Sequence, residues 1–175
     1  MSTLSEAVHE RDHITGNPDA AVTLVEYGDY QCPYCGMAHV IMRRILREYG
    51  DQIRFVFRNF PLSEIHSRAL PAAAAVEFAS DHDRFWEMHD LVFENQKALD
   101  DSHLAGYASS LGLEAYGLLQ NLENETILAR IQHDFMTGVR SGVNGTPSFF
   151  INDVRYDGEW DYENLSAVLV AALAK

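Results

Sequence analysis

The sequence predicts an α/β fold in which a βαβ unit and a closing ββα unit enclose a block of helices. Three observations predict it. Two β-branched, apolar runs at 22–27 and 53–60 flank a stretch whose apolar residues recur at helical spacing. Strand-like alternation then nearly vanishes from 63 to 140. Beyond Pro147, two short strand-like runs sit on either side of Asn152-Asp153.

The first run, VTLVEY, has GNPD before it and GD after it, and reads as a buried strand. Met37, Val40, Ile41, Ile45 and Leu46 place a helix over about 35–49, with Gly50 as a natural stop. The run IRFVFRNF, ended by Pro61, is the second strand, and the helix between the two completes a βαβ unit. The segments SRALPAAAAVEFAS, DRFWEMHDLVFENQKAL, SHLAGYASSLGL and ETILARIQHDFMTGVRSG predict four or five helices, with Pro71 marking a first turn or a kink. PSFFIN and VRYDG form a hairpin about Asn152-Asp153, and an amphipathic helix closes the chain over about 162–173. This pattern divides the chain into one domain of residues 1–61 with 141–175 and an inserted helical domain of 62–140. The first ~12 residues carry no such pattern and are expected to be loosely held.

With 175 residues, 47% of them hydrophobic, the chain can bury a sizeable core without covalent staples. Its net charge is -13, from 13 Lys+Arg against 26 Asp+Glu. Such a surface repels phosphate backbones, and no basic stripe offsets it, so nucleic-acid binding is excluded as an expectation. No apolar run is long enough to span a bilayer, so no membrane partner is expected. The N-terminus, MSTLSEAVHERDHITGNPDA, lacks a basic start followed by an apolar run, which leads to the expectation of a cytoplasmic protein.

Both cysteines of the chain, Cys32 and Cys35, lie in the stretch EYGDYQCPYCGMAHV, between the first strand and the helix. A bridge over so short a loop restrains the unfolded chain little, which argues against a structural staple. In a reducing compartment such a pair is more often catalytic or metal-binding. A thiol at a helix N-terminus faces unpaired N–H groups and the positive end of the helix dipole, which favour its thiolate. Thiols so placed ionise at about 3.5–7.5, against ~8.5 for free cysteine. Cys32 comes first and is expected to be the exposed, attacking sulfur, with Cys35 one turn in as the covered, resolving thiol. Pro33 at the first turn loses no hydrogen bond. A zinc half-site is the competing reading, but zinc usually takes four ligands and no second cysteine pair exists; His39, four residues after Cys35, is either a third ligand or a packing residue. Glu26 lies six positions before Cys32 in an apolar run. It is either buried beneath the pair, with a raised pKa and a proton-relay role, or faces outward from an alternating strand. Residue types alone make Pro147 a trans strand-opener.

Taken together, DYQCPYC after a strand with Glu26 upstream, FRNFPLSEIHSRALPAAAA, FWEMHDLVFENQ and GVNGTPSFFIN resemble the DsbA-like thiol:disulfide oxidoreductases, over about 13–169. The resemblance implies a thioredoxin-like fold interrupted by helices, a nucleophilic Cys32, a resolving Cys35 and a buried Glu26. It also implies a cis Pro147 against the cysteine pair, and a Thr146 backbone able to pair with an extended substrate segment. Pro33, Tyr34, Thr146 and Pro147 are then the substrate-binding residues. His66, His89, Trp86 and Phe85 read as helical packing or groove lining, and Asp29 and Tyr30 border the site. The dipeptide between the cysteines departs from the family's strongly oxidising members, which carry Pro-His. Tyr34 cannot supply a histidinium, so a weaker oxidant is expected.

The leading expectation is therefore a protein disulfide oxidoreductase without a bound cofactor, acting on cysteine-containing proteins or small thiols and recycled by a redox partner. Whether it runs as oxidase, reductase or isomerase stays open. Two rivals are carried: a glutathione-linked transferase or isomerase, and a non-enzymatic metal-binding or sensor module. Saturable glutathione binding would favour the first rival; a stoichiometric ion on the cysteines with His39 would favour the second.

Overall fold

The computed structural model describes residues 2–175. In chain order the elements are β1 (His13–Gly16), β2 (Val22–Gly28), α1 (Pro33–Tyr49), β3 (Ile53–Asn59), α2 (Ala69–Ser80), α3 (Phe85–Glu94), α4 (Asp101–Ser110), α5 (Ala115–Asn121), α6 (Glu125–Arg140), β4 (Ser148–Ile151), β5 (Val154–Tyr156) and α7 (Tyr162–Leu173). The α/β class expected from the sequence is the one found, with five helices between β3 and β4.

The strands form one sheet in the order β1-β3-β2-β4-β5. β2 runs parallel to β3, with Glu26 beside Phe57, and antiparallel to β4, with Glu26 beside Phe149. A right-handed parallel pair needs a crossover, and α1 supplies it. Every residue of β2 is buried, because both faces of the sheet are covered. One face directs Leu24, Phe55, Phe57 and Phe149 into a large core that takes in Cys35, Ala38, Met42 and Ile45 of α1. The other directs Val25, Tyr27, Val56 and Phe150 into a smaller core with Phe60 and Val143. Helix α2 is apolar almost all round, as a helix enclosed by others must be, and it packs against α3, α4, α5 and α6. The β4–β5 hairpin turns at Asn152 and Asp153, both at positive φ (47° and 68°), the geometry that favours Asn and Asp there.

The N-terminal segment departs from expectation. It is pinned, not loose. Leu4 N–H donates to Asp153 O at 2.8 Å and Arg155 N–H to Ser2 O at 2.9 Å, while Ser5 Oγ donates to Thr137 O at 2.9 Å. The cause is a buried cation. Arg58, only 1% exposed on β3, needs fixed acceptors. It finds them in Asp12, gripped through Nε–Oδ1 at 2.8 Å and Nη2–Oδ2 at 2.9 Å, and in the carbonyls of Glu6 and Ala7. Strand β1, which adds antiparallel to β3, was not visible as a strand in the sequence because HITG is too short to alternate.

Candidate active site

The C-terminal ends of β2 and the start of α1 hold the two cysteines, and both are thiols. Cys32 is the N-cap residue of α1, extended at φ -66° and ψ 122°, and Pro33 occupies the first helical turn. No side chain caps this end, so the orphan N–H groups of the first turn face the Cys32 sulfur. Cys35 lies one turn in and is fully buried. Contrary to expectation, Cys32 is also largely covered, at 4% exposed. The turn before β4 brings the Thr146 carbonyl onto its sulfur, 3.5 Å away. The Thr146–Pro147 bond in that turn is cis, as the family resemblance implied and residue types alone did not. Pro33 and Tyr34 are the exposed members of the motif, Tyr34 at 62%.

Two side chains outside the motif fix its backbone. Asp29 Oδ1 accepts from the N–H groups of Gln31 (2.7 Å) and Cys32 (3.0 Å). Its Oδ2 accepts from Leu62 N–H at 2.9 Å and lies 2.9 Å from His66 Nδ1, tying the cysteine loop to the segment after β3. Asp29 N–H in turn points at Cys35 Sγ, 3.4 Å away. Gln96 Nε2 donates to the carbonyls of Tyr30 (3.0 Å) and Cys32 (2.8 Å). Sequence reading placed Asp29 only at the border of the site and overlooked Gln96 altogether. Asp29 had a signal, an Asp able to accept from the N–H groups two and three residues on, as in an Asx turn. Gln96 had none.

The electrostatics separate the two thiols. The Cys35 S–H donates to the Cys32 sulfur and is the main influence lowering the Cys32 pKa to about 5; burial opposes it, and the Thr146 side chain and the N–H groups of Cys35 and Tyr34 assist. Cys35 is pushed well above the ordinary thiol value, first by burial, then by that same hydrogen bond and by the charges of Glu26 and Cys32. Glu26 takes the inward placement. It is 2% exposed between Phe57 and Phe149, and its Oε1 has no hydrogen-bond partner. Burial, with the Cys32 charge adding, raises its pKa to about 8. A small residue is needed beside it: a Cβ on Gly28 would come within 2.4 Å of the Phe57 ring.

The histidines divide. His66 meets Asp29; His89 is buried, with Nδ1 2.9 Å from the Tyr30 hydroxyl. His39 is buried on α1, and its Nε2 approaches Asp90 of α3 rather than the cysteines. Among the described residues, neither group of side chains close enough to share a metal ion contains a cysteine. Phe85 and Trp86 pack in the aromatic cluster around His89.

A family model described as Thioredoxin matches residues 8–171. Among solved structures, the fold is similar to BdbD from Bacillus subtilis, at a TM-score of 0.86 and 25% identity over 99% of both chains. It is also similar to alpha-DsbA1 of Wolbachia pipientis, at a TM-score of 0.84 and 22% identity over 95% of this chain and 93% of that one. Curated relatives include a Na(+)/H(+) antiporter NhaA 1 of Salinispora arenicola, 42% identical over 94% of this chain and 25% of its own length. A Na(+)/H(+) antiporter NhaA of Herminiimonas arsenicoxydans is 38% identical over 93% of this chain and 26% of its own. The chain thus spans about a quarter of the length of these curated relatives.

Proposed function

From its membership of the thioredoxin family, in the DsbA-like group, we propose that the chain is a thiol:disulfide oxidoreductase acting on cysteine-bearing proteins through Cys32 and Cys35. The observation that carries this reading is the placement of the two thiols: Cys32 at the uncapped N-terminus of α1 against the Thr146 carbonyl, and Cys35 buried one turn in, an arrangement that lowers the first pKa and raises the second.

In the reducing direction, the Cys32 thiolate attacks one sulfur of a substrate disulfide. The S–S bond breaks, a Cys32–substrate disulfide forms, and the other substrate sulfur leaves as thiolate and takes up a proton. With Cys32 now neutral, the influences holding up the Cys35 pKa weaken. Loss of the Cys32 charge also removes one of the influences raising Glu26, on the sheet face beneath α1; in its ionised form Glu26 accepts the Cys35 proton, and the Cys35 thiolate attacks Cys32 Sγ. The second substrate thiolate departs, and a Cys32–Cys35 disulfide remains. The oxidising direction is the reverse, with Glu26 returning a proton to Cys35 as it leaves. The Thr146 backbone, beside the Cys32 sulfur, offers main-chain hydrogen bonds to an extended segment, and exposed Tyr34 and Pro33 border the approach. Such contacts accept many substrate sequences.

Substrate proteins, the partner that recycles the pair, and a cytoplasmic setting belong to the same proposal. Among the described residues no helix is long and apolar enough to cross a membrane.

The test is a pair of variants assayed against a disulfide-linked substrate protein. Cys32→Ser should abolish exchange, and Cys35→Ser should accumulate a mixed disulfide on Cys32 that mass spectrometry identifies. Exchange that survives Cys32→Ser would end the proposal.

A further inference from the structure

Apart from the redox pair, α1 and α3 enclose a second set of chemically able groups. His39, one turn beyond Cys35, meets His89 and Asp90 of α3, and one ligating atom from each lies within 4.8 Å of the other two. The His39 ring is 5% exposed, and its Nε2 has no hydrogen-bond partner. The 3.6 Å from that nitrogen to Asp90 Oδ1 is too long for a good hydrogen bond. It suits two ligands of one ion at bond lengths of about 2.0–2.2 Å.

His89 is held from its other side. Its Nδ1 lies 2.9 Å from the Tyr30 hydroxyl. In the tautomer whose Nδ1–H donates to that oxygen, Nε2 is the nitrogen left to ligate, the arrangement by which metal-binding histidines are commonly oriented. Stacking of His39 on Phe93, with ring centroids 5.0 Å apart, explains its shape in the core but not a buried nitrogen left without a partner.

We propose that His39, His89 and Asp90 form a mononuclear site for a divalent transition-metal ion of the zinc or cobalt type, joining α1 to α3 and separate from the thiol pair. Two imidazoles and one carboxylate select this class over calcium or magnesium, which take oxygen ligands. Asp90 shares α3 with Glu87 and Glu94, and Arg43 is paired to Glu94. A dication would relieve that acidic crowding.

The test uses the whole protein with Cys32 and Cys35 oxidised to the disulfide, so that neither sulfur ligates as thiolate. Titration with Co2+, read by its visible absorption and reversed by Zn2+, should give one ion per chain. Glu6, His9 and His133 form the other close group, but Glu6 Oε1 already satisfies both histidines at 2.9 and 3.0 Å. His133→Ala should therefore bind as wild type does. Asp90→Ala, at a half-exposed position, should weaken binding at least tenfold, and His39→Gln should abolish it. Tyr30→Phe, which removes only the orienting oxygen, should weaken it by about tenfold. No Co2+ signal in the oxidised wild type would overturn the proposal. So would unaltered binding by Asp90→Ala, or loss of binding in His133→Ala.

Discussion

Cys32 and Cys35 sit three residues apart yet ionise in opposite senses, because one hydrogen bond serves both. The Cys35 S–H stabilises a charge on Cys32, and the same bond resists loss of its own proton. Alkylation of Cys32 in the reduced protein should follow a titration centred near pH 5, and Cys35→Ala should move that midpoint upward; an unmoved midpoint would remove Cys35 from the account. A group lowered in the folded state adds stability above its unfolded pKa and loses it as pH falls. For Cys32 the window runs from about 9 down to about 5. Glu26 has the other sign. Its folded value of about 8 exceeds the unfolded 4.5, so the neutral form favours the fold and stability is lost as pH rises through that interval. Glu26→Gln should accordingly stabilise the reduced protein at pH 9 by on the order of 3 kcal/mol more than at pH 5, as read from urea midpoints. The two cysteines were legible as a pair because their spacing is local. The inward side of Glu26 was not, since β2 is buried on both faces and its sequence has no polar face to set the phase.

Secondary elements were legible wherever their own sequence carried a period or a turn signal: β2, α1, β3, the Asn152-Asp153 hairpin and α7 lie close to where the residues place them. What escaped was long-range. Strand β1 exists by pairing with β3, and the N-terminal segment is ordered by Arg58, 46 positions after the Asp12 that neutralises it. Breaking one side of such a buried pair leaves a charge without a partner. Asp12→Ala should cost on the order of 3 kcal/mol in denaturant unfolding and raise hydrogen exchange over residues 2–12; a loss below about 1 kcal/mol would mean that the segment is not held by this pair. The site shows the same division. Pro33 at the start of α1 is a local signal, whereas the Asp29 contacts to Leu62 and His66 and the Gln96 contacts to Tyr30 and Cys32 span 33 to 66 positions of chain. Asp29→Ala leaves the Gln31 N–H and Leu62 N–H unpaired together. It should slow exchange through Cys32 while the protein remains folded by circular dichroism, and an unchanged rate would make Asp29 a structural clamp alone.

Across the whole molecule, segments far apart in the chain converge on one sulfur. The sheet brings β4 alongside β2, so that Thr146, 114 positions from Cys32, closes over its thiol, while α1 holds Cys35 above the sheet face that carries Glu26. A stabilised Cys32 thiolate favours the reduced form over the disulfide. Tyr34, exposed beside the pair, supplies nothing like the histidinium of Pro-His members. The reduction potential of the Cys32–Cys35 pair tests this most directly: equilibrate the protein in defined glutathione buffers, quench, and trap the remaining thiols. A single reversible two-electron transition between about -120 and -270 mV, absent in Cys32→Ser, is the predicted result. A pair that does not titrate reversibly, or one as oxidising as about -120 mV, would contradict the account.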